Sequence, residues 1–313
     1  MNYYFAPMEG ITDATFRALH HRYFGGIDRY YMPFISPTMH RCLTKREARE
    51  LPPADSVPFK AVPQLLGKNL SDMLWAVDVC RDLGYDEVNI NLGCPSGTVV
   101  SKGKGSGMLQ DPDALDEFLN GLYAGASLPV SLKTRIGLNE PEEFPRLLEI
   151  YNQYPVKELT VHPRVRKAFY KGGCDMEMFR YAVENSRNPL CYNGSLNHRS
   201  EIEALRAEFP SVGSVMIGRG LLADPGMLCG GTDIHALQAF TDELTETYAV
   251  IFGSRRNAIF RMKENWHFLI TLFENSDKHW KALRKTTDYD TFRSITREIF
   301  ETLPLRAEAE INW

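Results

Sequence analysis

No apolar run in the 313 residues approaches the ~18 needed for a membrane-spanning helix. The N-terminus, MNYYFAPMEG, has neither a basic stretch nor a long apolar one, so it is not read as a secretory signal. The six cysteines (Cys42, Cys80, Cys94, Cys174, Cys191, Cys229) show no short paired spacing, which excludes a zinc motif or a C-x-x-C redox pair. With no export signal, the expectation is reduced thiols in a cytoplasmic protein, with no metal and no membrane. The first strand is not followed by G-x-G-x-x-G; residues 6–12 read APMEGIT, which argues against a dinucleotide-binding doubly wound sheet. No strong charge of one sign is present either. The net charge is −4, so any affinity for nucleic acid has to come from local concentration of basic residues.

What is present is an ordinary globular composition, 43% hydrophobic and 24% charged, arranged with a regular beat. Apolar runs at 3–8, 29–34, 59–65, 86–92, 129–135, 157–163, 189–194 and 214–220 read as eight strands. Helical stretches fall between them, with Thr12 or Asp13 capping the first. Asp111 caps another, with Pro112 at its first position and a run ending at Gly125. Residues 36–58 read as a polar, basic, proline-containing connection. Eight strands alternating with helices over ~230 residues match a (β/α)8 TIM barrel of the α/β class. From about residue 235 the pattern is helical throughout, with amphipathic stretches at 235–252, 255–273 and 289–300. The expected division is a catalytic barrel over 1–234 and an all-helical domain over 235–313.

Barrel enzymes carry their chemistry at the carboxyl ends of the strands. Here those ends hold Pro7-Met8, Pro33, Gln64, Asn91 with Cys94, Lys133 with Arg135, His162, Asn193-Gly194 and Gly218-Arg219. Each has an ordinary structural explanation when taken alone. A single cysteine is usually a small buried hydrophobe, and Asn-Gly is usually a turn. Their joint placement on one face is what points to a site. Glycines after the seventh and eighth strands are where barrels often bind phosphate, and Arg219 would add charge-assisted bonds there.

The motifs APMEGITD (6–13), PQLLG (63–67), NINLGCP with its glycine-rich tail (89–109), SLKTRIG (131–137), TVHPR (160–164), YNG (192–194), VMIGRG (215–220) and RMKENW (261–266) run in order along nearly the whole chain. Together they resemble the flavin-dependent tRNA dihydrouridine synthases, NxGCP being the most specific element. The resemblance implies an FMN-binding barrel followed by a helical tRNA-binding domain. It implies an oxidoreductase in which NADPH (or NADH) reduces the flavin and hydride passes to C6 of a tRNA uridine. Cys94 would then protonate C5 from a mobile loop whose glycines and lysines let it close over an extruded base. By the same resemblance Pro7, Met8, Gln64, Lys133 and His162 would contact the flavin. Asn193, Gly194, Gly218 and Arg219 would hold its phosphate. Asn89 and Arg135 would face the uracil, and Arg164 and Arg166 would reach tRNA or cofactor. Local basic charge, read separately, adds Lys102, Lys104, Arg256 and Lys263 as expected tRNA contacts.

The chain departs from the family pattern at Pro163, at Ser195, at Cys174-Asp175 and in SKGKGSG (101–107), which bears on substrate choice more than on chemistry. Basic clusters at 40–49, 101–104 and 164–171 fall on or near the expected active face. Residues 255–297 hold ten Lys/Arg against five Asp/Glu. Arg256, Lys263 and His267 share a helical face, and Phe169, Tyr170 and Trp266 are either core residues or base-stacking platforms. The rivals are an FMN barrel acting on a free pyrimidine, as in dihydroorotate dehydrogenases, a non-catalytic tRNA-binding scaffold, and a flavin-free barrel lyase or isomerase. A monomer is expected.

Overall fold

The computed structural model describes residues 1–311, so the last two residues of the expected helical segment lie outside it. The strands are β1 (Asn2–Phe5), β2 (Arg29–Tyr31), β3 (Ala61–Val62), β4 (Gln64–Leu65), β5 (Val88–Leu92), β6 (Val130–Arg135), β7 (Leu159–His162), β8 (Leu190–Tyr192) and β9 (Ser214–Ile217). All pair in parallel, in the order β3-β2-β1-β9-β8-β7-β6-β5-β4. The two edge pieces are halves of one expected strand, parted by Pro63, which has no N–H to give a ladder. The Pro63 carbonyl accepts from the Asn89 amide at 2.8 Å, and this closes the ring as an eight-stranded (β/α)8 barrel.

The helices are α1 (Ala14–Tyr23), α2 (Lys45–Glu50), α3 (Leu70–Asp82), α4 (Gly97–Val100), α5 (Pro112–Gly125), α6 (Phe144–Tyr151), α7 (Met176–Asn185), α8 (Arg199–Glu208), α9 (Arg219–Ala223), α10 (Ile234–Phe252), α11 (Arg255–Leu269), α12 (Asp277–Lys285) and α13 (Tyr289–Thr302). Of the two candidates for the α1 cap, Asp13 is the one used, its carboxylate accepting from the Phe16 amide at 2.9 Å. Asp111 caps α5 in the same way, with Pro112 at its first position. The connection at 36–58 holds more structure than its composition announces. Thr44 and Glu47 form a capping box that starts α2. Its buried face is anchored by Glu50, which accepts from the Ala14 amide at 2.9 Å and pairs with Arg17 at 3.3 Å.

Side chains alternate inward and outward along the strands. The outward ones join the helices in a single apolar cluster that continues into the helical region, while Tyr4, Tyr31, Val62, Cys191 and Met216 pack inside the barrel. Phe240 of α10 meets Phe16 and Phe24 edge-on at 5.5 and 5.3 Å. Tyr248 donates to Asp13 at 3.0 Å. At the amino ends of the strands the barrel interior is ionic. Glu87, fully buried, takes Arg29 at 3.2 Å and Lys157 at 2.8 Å. Glu158 accepts from Ser214 at 2.6 Å and Tyr4 at 3.2 Å. Among the described residues no helix is long and apolar enough to cross a membrane.

Candidate active site

A cavity of about 250 Å³ opens at the carboxyl ends of the strands. It is lined by Pro7, Met8, Gln64, Cys94, Lys133, Arg135, His162, Arg164, Asn193, Gly194, Gly218 and Arg219 among the expected site residues, and also by Glu9, Asn91 and Tyr170. Side chains from all around the sheet order therefore converge at one mouth.

Cys94 follows β5 on a turn held by Asn91, whose Oδ1 accepts from the Gly93 and Cys94 amides at 3.0 and 2.9 Å. The Cys94 carbonyl accepts from the Ser106 amide and hydroxyl at 3.2 and 2.7 Å. The loop in between is folded rather than open: it contains α4 and a 3₁₀ turn over Gly105–Gln110. Its glycines serve geometry. Gly105 has φ +57°, and a Cβ on Gly107 would lie 2.9 Å from the Val100 carbonyl. Burial pushes the Cys94 thiol up, against the pull of a nearby backbone N–H and of Arg135, which keeps the proton on sulfur near neutral pH.

Lys133 lies across the mouth and donates to Asn193 Oδ1 at 2.5 Å. Burial, then the neighbouring Arg135, bring its ammonium down to about 7. Asn193 also donates to the Met216 carbonyl at 2.7 Å, which fixes the amide so that its oxygen faces Lys133 and, among the described residues, leaves its second N–H unpaired at the cavity. Arg135 donates to the carbonyls of Gly93 and Val165 at 2.9 and 3.1 Å, tying the cysteine turn to the loop after β7. Arg164, 4% exposed, bonds Gly172 O at 2.8 Å and Ser195 Oγ at 2.9 Å, and donates to His162 Nε2 at 2.9 Å. That bond makes Nε2 an acceptor. Burial and the four surrounding cations hold His162 well below its ordinary value, so the ring is neutral. Arg219 has its guanidinium 5.1 Å from the centre of the Tyr170 ring, and Arg135 lies 5.5 Å from the same ring. Among the described residues, Lys133, Arg135, Arg164 and Arg219 are paired with no carboxylate, although Glu9 lines the same cavity. A site with four basic side chains and one carboxylate, Glu9, which is itself paired with Arg46, suits an anionic ligand.

Several expected residues sit elsewhere. Asn89 does not reach the mouth. It is fully buried one layer below, between Gln64 and Ser131. Strand alternation turns Asn89 and Asn91 both inward, and only Asn91, nearer the strand end, lines the cavity. Lys102 is exposed outside it, and Lys104 donates to Ser36 at 3.1 Å. Arg166 packs over Phe169. On α11, Arg256 packs over Phe260, while Lys263 donates to the Arg284 carbonyl at 3.2 Å and to that of Thr286, closing the end of α12. Trp266 is core, stacked on Phe273, and Tyr170 remains 44% exposed at the mouth. Among the described residues no group of three or more His, Cys, Asp and Glu is placed to hold a metal ion.

Comparison with known proteins joins this geometry to a family. The sequence pattern of the dihydrouridine synthases matches residues 4–308. The chain belongs to the dihydrouridine synthase family. This is a family of flavin-dependent oxidoreductases on a barrel fold, and its class extends to this member. A tRNA-dihydrouridine synthase B of Pasteurella multocida is 28% identical over 223 residues, covering 71% of this chain and 66% of that protein. A probable tRNA-dihydrouridine synthase of Rhizobium leguminosarum is 30% identical over 234 residues, covering 73% and 72%. The matches thus take in 66% and 72% of these relatives' own lengths. Among solved structures, an old yellow enzyme homologue from Zymomonas mobilis superposes with a TM-score of 0.52 at 10% identity, over 72% of this chain and 86% of that one. A morphinone reductase variant in complex with tetrahydroNAD gives 0.50 at 9%, over 72% and 85%. These two likenesses concern the fold alone.

Proposed function

We propose that this protein reduces a uridine of tRNA to 5,6-dihydrouridine, with FMN in the cavity and NADPH as reductant. The observation that carries the reading is the arrangement of the mouth. Four basic side chains without carboxylate partners line it, together with a protonated thiol on a turn tied to Arg135. The residues present fit a flavin phosphate. Arg219 has no hydrogen-bonded acid, and Gly218 lines the cavity at a point where a Cβ would crowd the Met8 sulfur at 3.3 Å, so only a glycine leaves the backbone accessible there. Bound there and reduced, the flavin supplies a hydride to C6 of the uracil ring.

The chain's own residues do the rest. Cys94 donates its proton to C5, which a thiol near neutral pH can do and an ionised carboxylate cannot. Lys133, held at about 7 by burial, gains its charge when an anion lies over it, so binding of an anionic ring and retention of the lysine proton reinforce each other. Asn193 aims that lysine, and Arg135 fixes the thiol turn. Neutral His162 presents a ring that adds no charge to the crowd of cations. Residues 235–313 are assigned to tRNA, with Arg256 and the basic loops on the barrel tracking phosphates.

The test is an absorption spectrum of the purified protein before and after anaerobic NADPH, followed by mass analysis of tRNA incubated with it. Flavin bands that bleach, and a gain of two hydrogens per target uridine, are expected. A protein that takes up no flavin sinks the reading. Turnover of a free pyrimidine in preference to tRNA would transfer it to the dihydroorotate-dehydrogenase-like alternative.

A further inference from the structure

The barrel interior contains one unbroken hydrogen-bonded chain that runs from its floor to the cysteine turn. From the top, the Gly93 and Cys94 amides donate to Asn91 Oδ1 at 3.0 and 2.9 Å. Asn91 Nδ2 donates to Gln64 Oε1 at 2.8 Å, and Gln64 Nε2 donates to Asn89 Oδ1 at 2.8 Å. Asn89 Nδ2 donates to Ser131 Oγ at 3.0 Å, and Ser131 Oγ donates to Glu87 Oε1 at 2.7 Å. Every link points the same way. The chain ends on an anion whose other oxygen is held by Arg29 and Lys157.

The direction follows from that end. An ionised carboxylate only accepts, so Ser131 must turn its proton towards Glu87 and offer a lone pair upwards. A primary amide can point either way, but with its lower neighbour committed as an acceptor it must present its NH2 downwards and its oxygen upwards. The same constraint passes through Asn89, Gln64 and Asn91. It delivers an oxygen, not an NH2, to the two amides of the cysteine turn. Were the Asn91 amide reversed, two backbone donors would face a third in a buried site. Bonds aligned head to tail also polarise one another in a low dielectric, which stiffens the series.

We propose that Glu87, Ser131 and Asn89 are positioning residues that act through this ladder to hold Gln64, Asn91 and the Cys94 turn in the orientation the reaction uses. The proposal rests on the reading of Cys94 as proton donor. It gives Asn89 a place in the mechanism without substrate contact, and it gives the buried Glu87 a purpose besides neutralising two cations. The second carboxylate of the floor provides an internal control. Ser214 donates to Glu158, which also takes Tyr4, and none of these three bonds to the cysteine turn.

Ser131→Ala removes one hydroxyl and cuts the ladder at its anchor, while Ser214→Ala removes the equivalent hydroxyl from the other carboxylate. Two quantities are read on each holoenzyme. The first is the rate at which iodoacetamide alkylates Cys94, resolved from the other cysteines by peptide mass spectrometry. The second is turnover on tRNA. Ser131→Ala is expected to alkylate at least about threefold faster at Cys94 as the turn loosens. Its kcat is expected to fall on the order of tenfold, with KM for tRNA within about twofold and flavin content unchanged. Ser214→Ala should match the parent in both. Glu87→Gln, of equal volume, is read in the same way and carries the test if the serine variant does not fold. Equal alkylation rates in parent, Ser131→Ala and Glu87→Gln overturn the proposal, as do equal changes in Ser131→Ala and Ser214→Ala. Because alkylation is read without tRNA or NADPH, a failure of the ladder is distinguishable from a failure of the dihydrouridine reading.

Discussion

Replacing Lys133 with methionine should make the flavin-free protein more stable and the flavin harder to keep. The ammonium is brought from 10.5 to about 7 by burial and by Arg135. Each unit is about 1.36 kcal/mol, so a charge at this position without an anion costs roughly 4–5 kcal/mol as an upper bound. Methionine removes that cost but strips Asn193 Oδ1 of its donor, an offset of about 1–3 kcal/mol. A net gain of at most about 1–4 kcal/mol at neutral pH is expected in urea unfolding of the flavin-free protein. The pH dependence is sharper evidence than the size. The lysine is protonated in the unfolded chain up to about 10.5 and in the folded one only up to about 7, so folding releases a proton between those values. Stability of the parent should therefore rise with pH in that window. The rise between pH 7 and 8.5 is about 1.5 kcal/mol from this group. The methionine variant should lack that part of the slope, and the difference between the two curves cancels every other titrating group. Flavin affinity should move oppositely. An anion that restores the ammonium takes up a proton, so the parent binds flavin less tightly as pH rises above 7, and the variant shows less of this loss. Parallel stability curves for the two proteins would refute the reasoning, as would a variant that keeps flavin as well as the parent.

Cys94→Ala should retain flavin and its bleaching by NADPH while losing tRNA turnover by at least ~100-fold, seen in single-turnover kinetics. Arg219→Ala should leave the fold intact and lower flavin occupancy after gel filtration by about tenfold or more, as loss of a charge-assisted phosphate contact does. Arg256→Ala should weaken tRNA binding and reduce its salt slope by about one, with no effect on flavin content. Lys263→Ala should instead lower the unfolding midpoint by a few degrees, because its ammonium closes the carbonyl end of α12.

The barrel was legible because parallel strands buried on both faces leave continuous apolar runs, and because Asp13 and Asp111 announce the helices they cap. The twelve side chains and glycines that share the mouth were legible for a related reason: strand ends are countable. Three things were not. The helix at 45–50 is held by a capping box and by Glu50 against α1, a long-range anchor that no local pattern carries. Asn89 and Asn91 both point inward, and which of them reaches the mouth depends on where β5 stops, a boundary that sequence places only to within a residue or two. Asn193 and Lys263 also donate to backbone carbonyls more than twenty residues along the chain, contacts that residue type alone does not announce.

The aromatic contact between α1 and α10 bears on how the chain is made. Phe16, Tyr23 and Phe24 of the first βα unit are covered by Phe240, more than two hundred residues later in the sequence. Until α10 has left the ribosome, that side of the first helix has no partner and faces water as an apolar stripe. A nascent chain that ended at residue 234 would carry all eight strands and still be incomplete at its oldest part. Folding of the first βα unit is thus finished only when α10, made after the whole barrel, returns to cover it.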